Sequence, residues 1–129
     1  MPDTVVIPGY EFVEKLGAGS AGVVYKARQV SMDRMVAIKI LPAKLSEDAR
    51  FIERFYSEAR AVAKLNHSNV VTGIDVGEAN GLYYFVMEYV DGDTLAERLR
   101  ATGAIDEPEA LHIAMQIAHA LEHAYKNGI

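Results

Sequence analysis

The chain contains no cysteine. That excludes a disulfide framework and any thiolate-based metal site, and it fits a reducing compartment. Positive charge is scarce beside negative: 13 Lys and Arg against 18 Asp and Glu, a formal net charge of -5. With no Lys/Arg cluster to focus a field, nucleic acid is not an expected partner. No apolar run approaches the ~20 residues of a bilayer span. The first ten residues, which include Asp3 and Pro8, lack the basic start and apolar centre of a signal peptide. A soluble chain in the cytoplasm is therefore expected. What is present is ordinary in balance: 129 residues, 50% hydrophobic and 24% charged, enough for one domain with a real core.

The stretch that organises the rest runs from Leu16 to Leu41. Gly17, Gly19 and Gly22 form a G-x-G-x-x-G frame. A strand follows over Val23 to Ala27, then a turn around Ser31 to Arg34, then a second strand over Met35 to Leu41. Such a glycine frame alone means little, because glycine is common in turns. The flanks decide. A dinucleotide fold needs a helix directly after the glycines, whereas here Val23, Val24 and Tyr25 favour a strand. A Walker loop needs Gly-Lys-Ser/Thr, and Gly22 precedes Val23. What is left is a glycine-rich hairpin tip whose bare backbone can lie close to phosphates.

This arrangement resembles the N-terminal lobe of protein kinases, whose signatures are G-x-G-x-x-G-x-V and V-A-I-K. Both occur in full: Gly17, Gly19, Gly22 and Val24, then Val36-Ala37-Ile38-Lys39. The alternative, a purely structural hairpin, explains the first motif and not the second.

Along the chain, residues 1–9 read as a flexible leader and Tyr10 to Leu16 as a first strand. In the strand over Met35 to Leu41, Val36, Ile38 and Ile40 face one way, and Ala37, Lys39 and Leu41 the other. A flat ring could pack on Ala37 while Lys39 reaches past it. From the strand alone Lys39 reads equally as a solvated lysine. Glu47 to Leu65 has helical period, with Phe51, Phe55, Val62 and Leu65 in one stripe and Glu58 among them. A carboxylate on a packed face costs several kcal/mol unless a cation meets it. Lys39 is the expected partner; a place at the wet edge of the stripe is the other reading. Glu47 falls at the helix start and Glu53 on the solvated side.

Asn66 to Asn69 closes that helix, with His67 read as a capping or packing residue. Val70 to Val76 and Leu82 to Val86 read as a hairpin joined by Gly77 to Gly81. Gly73, in mid-strand, implies a bulge or a cavity filled from elsewhere. Phe85 to Gly92 is a strand breaking at Asp91-Gly92. Thr94 and Glu97 stand at capping-box spacing before a short helix ending near Arg100. Asp106 and Pro108 open a long helix that stops at Asn127-Gly128. Its apolar belt (Leu111, Ile113, Ala114, Ile117, Ala118, Leu121, Ala124, Tyr125) is too wide for a free surface. Dimerisation, aggregation, repacking or cover by the remainder of a lobe is expected of it. His119 and His123 are four apart, but no glutamate base stands between them in a zincin frame.

The spelling from Tyr10 to Ile129 looks most like bacterial serine/threonine protein kinases of the eukaryotic type. The resemblance implies an α+β fold: a five-stranded antiparallel sheet with one main helix over 10–86, a hinge at 87–92, and the first two helices of a second lobe over 93–129. It implies that Leu16, Gly17, Gly19, Ser20 and Gly22 form the loop over ATP, with Val24 and Ala37 sandwiching adenine. Lys39, held by Glu58, would address the α- and β-phosphates. Met87 would stand behind the adenine. The Glu88 carbonyl and Val90 amide would pair with it, and Leu95 would face its floor. Ala21 replaces an aromatic common in that loop. The His-Arg-Asp catalytic loop and the Asp-Phe-Gly ligand of Mg²⁺ do not occur in these 129 residues. The chain alone is therefore expected not to turn over; a nucleotide-binding or dimerisation module of pseudokinase type is the alternative.

Overall fold

Alternating β-branched and aromatic residues, punctuated by turns that only certain residues tolerate, set the order of elements. The structure is a computed structural model that describes residues 7–19 and 22–129. Strands β1 (Tyr10–Gly19), β2 (Gly22–Gln29) and β3 (Arg34–Ile40) are followed by helix α1 (Ala49–Ala63). Then come β4 (Gly73–Ala79), β5 (Leu82–Glu88), and helices α2 (Leu95–Thr102) and α3 (Glu107–Lys126). The five strands form one antiparallel sheet in the order β1-β2-β3-β5-β4. The chain divides into two compact units, the first running to Lys64 and resuming over Thr72–Tyr89, the second taking Leu65–Val71 and Val90–Ile129.

In the first unit, one face of the sheet carries the core. Tyr25, Ala27, Val36, Ile38, Ile40 and Val86 are buried together with Ile7. The alternation expected of β3 is observed: Val36 and Ile38 are fully buried on this face, and Ala37, Lys39 and Leu41 are on the other. Ile7 corrects the reading of residues 1–9 as a flexible leader. It is 1% exposed, its carbonyl accepts from the Tyr10 amide, and the Gly9 carbonyl accepts from Val30. Ile7 ends the short apolar run Val5-Val6-Ile7 before Pro8-Gly9, too short for a period to mark its burial; residues 1–6 lie outside the described residues.

Several boundaries move. β4 begins at Gly73 rather than Val70, with a register shift between Gly73 and Asp75. Space at Gly73 is filled from β5 and α1: a Cβ there would stand 3.1 Å from Cζ of Phe85 and 3.7 Å from Val62. Both structures foreseen for this glycine are therefore present. The β4–β5 connection is a tight Asn80-Gly81 turn with both residues at positive φ (53° and 78°), not a loop over Gly77 to Gly81. Asn-Gly is the sequence that such a two-residue turn favours. The first unit also reaches Tyr89, past the expected boundary at Val86. Glu88 explains this: its amide donates to the Thr72 carbonyl and its carboxylate accepts from the Thr72 amide, both at 2.9 Å. The Lys26 ammonium adds to it, 4.6 Å from the centre of the Tyr89 ring.

In the second unit, Thr94 caps α2 by accepting from the Glu97 amide, as the spacing predicts. Arg98 of α2 pairs with Glu109 of α3. The guanidinium holds the Glu109 carboxyl below the usual carboxylate range through a hydrogen bond. Leu65–Val71 lies along α3, with the Asn66 amide donating to Nε2 of His123 at 3.1 Å and Asn69 donating to the Gln116 carbonyl. The His67 and His123 rings pack with centres 5.2 Å apart. Leu111, Met115, Ile117, Leu121 and Tyr125 are all more than half exposed on α3. No helix among the described residues is long and apolar enough to cross a membrane.

Candidate functional site

The site is built on the sheet face opposite the core, and strand register assembles it. Gly17 of β1 is opposite Val24 of β2, Val24 is opposite Lys39 of β3, and Lys39 is opposite Phe85 of β5. One row thus crosses four strands. The next row on the same face holds Lys26, Ala37 and Met87. Side chains of both rows project together because residues two apart share a face. Ala37 is 7% exposed, Val24 and Met87 are half-buried, and so is Lys39.

The three glycines of the frame differ. Gly22 has φ +122°, and a Cβ built on it would stand 2.1 Å from the Ile40 carbonyl oxygen. Only glycine fits there. A Cβ on Gly17 or Gly19 would meet nothing within 4 Å, and neither has a positive φ. The fold requires the first and leaves the other two unexplained by its own packing. Leu16, at the register shift between Lys15 and Gly17, is 43% exposed. Ser20 and Ala21 lie outside the described residues.

Helix α1 covers part of this face. Asp48 caps it by accepting from the Arg50 amide, and Phe55, Ala59 and Val62 present the i, i+4, i+7 stripe. With Lys39, Glu58, Phe85 and Met87 they line a cavity of ≈ 170 Å³. The structure thus brings Lys39 and Glu58 to one cavity. It does not join them. Glu58 accepts from Nε of Arg54 at 3.0 Å, with its side chain 67% exposed, and Lys39 makes no ion pair among the described residues. The helical stripe narrows to Ala59, the single buried residue of α1. Glu58 stands at its wet edge, so no desolvation forces a cation onto it.

Of the remaining expected residues, Glu88 ends β5 with its carboxylate engaged by Thr72. Val90 and Leu95 belong to the second unit, 63% and 42% exposed. Sequence reasoning missed Arg54 and Phe85. The first was legible as an Arg–Glu pair at i, i+4, the second as the residue completing the row of Lys39.

The profile of the protein kinase domain family matches residues 10–129. The serine/threonine-protein kinase PrkC of Bacillus subtilis (strain 168) is 43% identical over 120 residues, covering 93% of this chain and 18% of that protein. PknB of Mycobacterium leprae (strain TN) is 40% identical over 124 residues, with 93% and 20% covered. The crystal structure of the PknI kinase domain of M. tuberculosis superposes with a TM-score of 0.83 at 29% identity, over 100% of this chain and 52% of that one. The chain therefore spans about a fifth of the curated relatives it matches.

Proposed function

From the premise that this chain belongs to the protein kinase domain family, we propose that it is the ATP-binding part of a protein serine/threonine kinase, which moves the γ-phosphate of ATP to Ser or Thr hydroxyls of proteins. One observation carries the reading. Lys39 projects into a cavity shared with Glu58, in register with Val24 and beside a hairpin whose Gly17 and Gly19 leave open space.

The chemistry fits a nucleotide. Phosphoryl transfer asks a protein for positioning and charge stabilisation more than covalent work. An ammonium with no ion pair among the described residues supplies charge for the α- and β-phosphates, and bare glycine backbone can approach phosphate oxygens closely. Val24 and Ala37 offer a small apolar clamp for adenine, with Met87 behind it. The Glu88 carbonyl would serve adenine's hydrogen-bonding edge, and Leu16 its apolar rim. When phosphates arrive, Glu58 would turn to Lys39 and hold it in place. Mg²⁺ is a different case. No group of three or more His, Asp or Glu among the described residues is placed to hold a metal. The catalytic base and metal ligands would belong to sequence outside these 129 residues, and the chain alone is expected to be inactive. The proposed partners are ATP and protein substrates, with the α3 belt covered by further kinase sequence or a second copy.

Replacing Lys39 by Met in the full-length protein should cut autophosphorylation by about 100-fold or more and leave thermal unfolding unchanged. Undiminished phosphotransfer by that variant would refute the assignment.

A further inference from the structure

Glu58 has one carboxylate and two cations beside it. Arg54, one helical turn earlier, donates to it at 3.0 Å. Lys39, Arg54 and Glu58 line a common cavity of ≈ 370 Å³ with Leu41, Phe51 and Phe55, and Lys39 and Glu58 also share the ≈ 170 Å³ cavity towards Met87. Glu58 thus lines both spaces, as Lys39 does, while Arg54 lines only the larger. We infer that Arg54 is a positioning residue that competes with Lys39 for Glu58, and so sets how often the lysine is held ready for phosphate. This rests on the reading of Lys39 as the phosphate-binding cation.

The contest is close to even, which is what allows a ligand to decide it. Arg54 and Glu58 are 75% and 67% exposed, and an exposed i, i+4 pair contributes only a few tenths of a kcal/mol. Arg54 has geometry in its favour, since helix periodicity keeps it beside Glu58 whatever the sheet does. Lys39 gains only when phosphates order its ammonium. Each molecule whose carboxylate is on Arg54 must give up that bond before the lysine is positioned, which lowers apparent nucleotide affinity by the fraction so occupied.

The test is ATP affinity of the full-length protein and its variants at low ionic strength. Arg54→Gln should bind ATP about two-fold tighter, and Arg54→Lys, which keeps a cation at the same spacing, should match the unsubstituted protein. In a Glu58→Gln background Arg54→Gln should give no tightening, since only the distant attraction of one cation for ATP is then lost. High salt should erase the gain by screening the exposed pair. If Arg54→Gln binds no tighter while Lys39→Met binds more weakly, the competition is refuted and the nucleotide reading stands. If Lys39→Met binds ATP unchanged, both are refuted together. Arg54 is exposed, so its variants should unfold at the unsubstituted temperature, and a loss of affinity with a fall in that temperature would also count against the inference.

Discussion

Gly22 and Ile40 approach so closely that a single methyl on the first would stand 2.1 Å from the carbonyl oxygen of the second. The contact is backbone against backbone, with Gly22 at φ +122°, so no side-chain rotation relieves it. Gly22→Ala should therefore destabilise the first unit by on the order of a few kcal/mol. Gly17→Ala and Gly19→Ala should unfold within about 1 kcal/mol of the unsubstituted protein yet bind ATP several-fold more weakly. Denaturant titrations beside ATP titrations separate the two roles. Equal loss of stability in all three variants would mean that the frame is scaffolding only.

Gly73 and Phe85 give a second prediction. Cζ and Cε2 of Phe85 occupy the place of a Gly73 side chain, at 3.1 and 3.3 Å from its built Cβ. The same ring lines the Lys39–Glu58 cavity. Gly73→Val should push the ring towards that cavity and cost about 1–3 kcal/mol by overpacking. Phe85→Leu introduced into the Gly73→Val protein should recover part of the loss, because the smaller side chain vacates the contested space. Chemical denaturation of the two single variants and the double variant measures the coupling; strict additivity would contradict the contact.

Arg98 and Glu109 make stability depend on pH in a stated direction. Hydrogen bonding to Arg98 depresses the Glu109 carboxyl in the folded chain. The unfolded chain therefore takes up its proton first as pH falls. The pair stabilises the fold at pH values above the ordinary glutamate range, and that contribution is lost as pH drops through the lower, folded value. Glu109→Gln should lower the unfolding midpoint at neutral pH and cease to matter in strong acid. A side-chain NMR titration should place the Glu109 midpoint below the ordinary glutamate range.

Much of this was legible because local chemistry and long-range pairing agree. The Gly17/Gly19/Gly22 frame, the two faces of Val36 to Leu41 and the Thr94–Glu97 cap all follow from residue type and period, and the sheet preserves them. Ile7 was not legible: its burial depends on which strands happen to leave room above the core, and no local pattern records that. The short turn at Asn80-Gly81 was written in the chain but outweighed by the polar residues beside it. Glu58 shows the remaining limit. Helical angle placed it in an apolar stripe, yet the contact surface contracted to Ala59 and left the carboxylate to Arg54. A period fixes directions; only packing fixes which direction is dry.

The central claim is that the Lys39 ammonium meets the phosphates of ATP. An acyl-phosphate derivative of ATP acylates whichever lysine lies at the phosphates, and peptide mass spectrometry of the labelled full-length protein identifies it. Label on Lys39, abolished by excess ATP, is the predicted result, with Lys15, Lys26 and Lys44 modified little or without competition. Label absent from Lys39, or present and indifferent to ATP, would contradict the account.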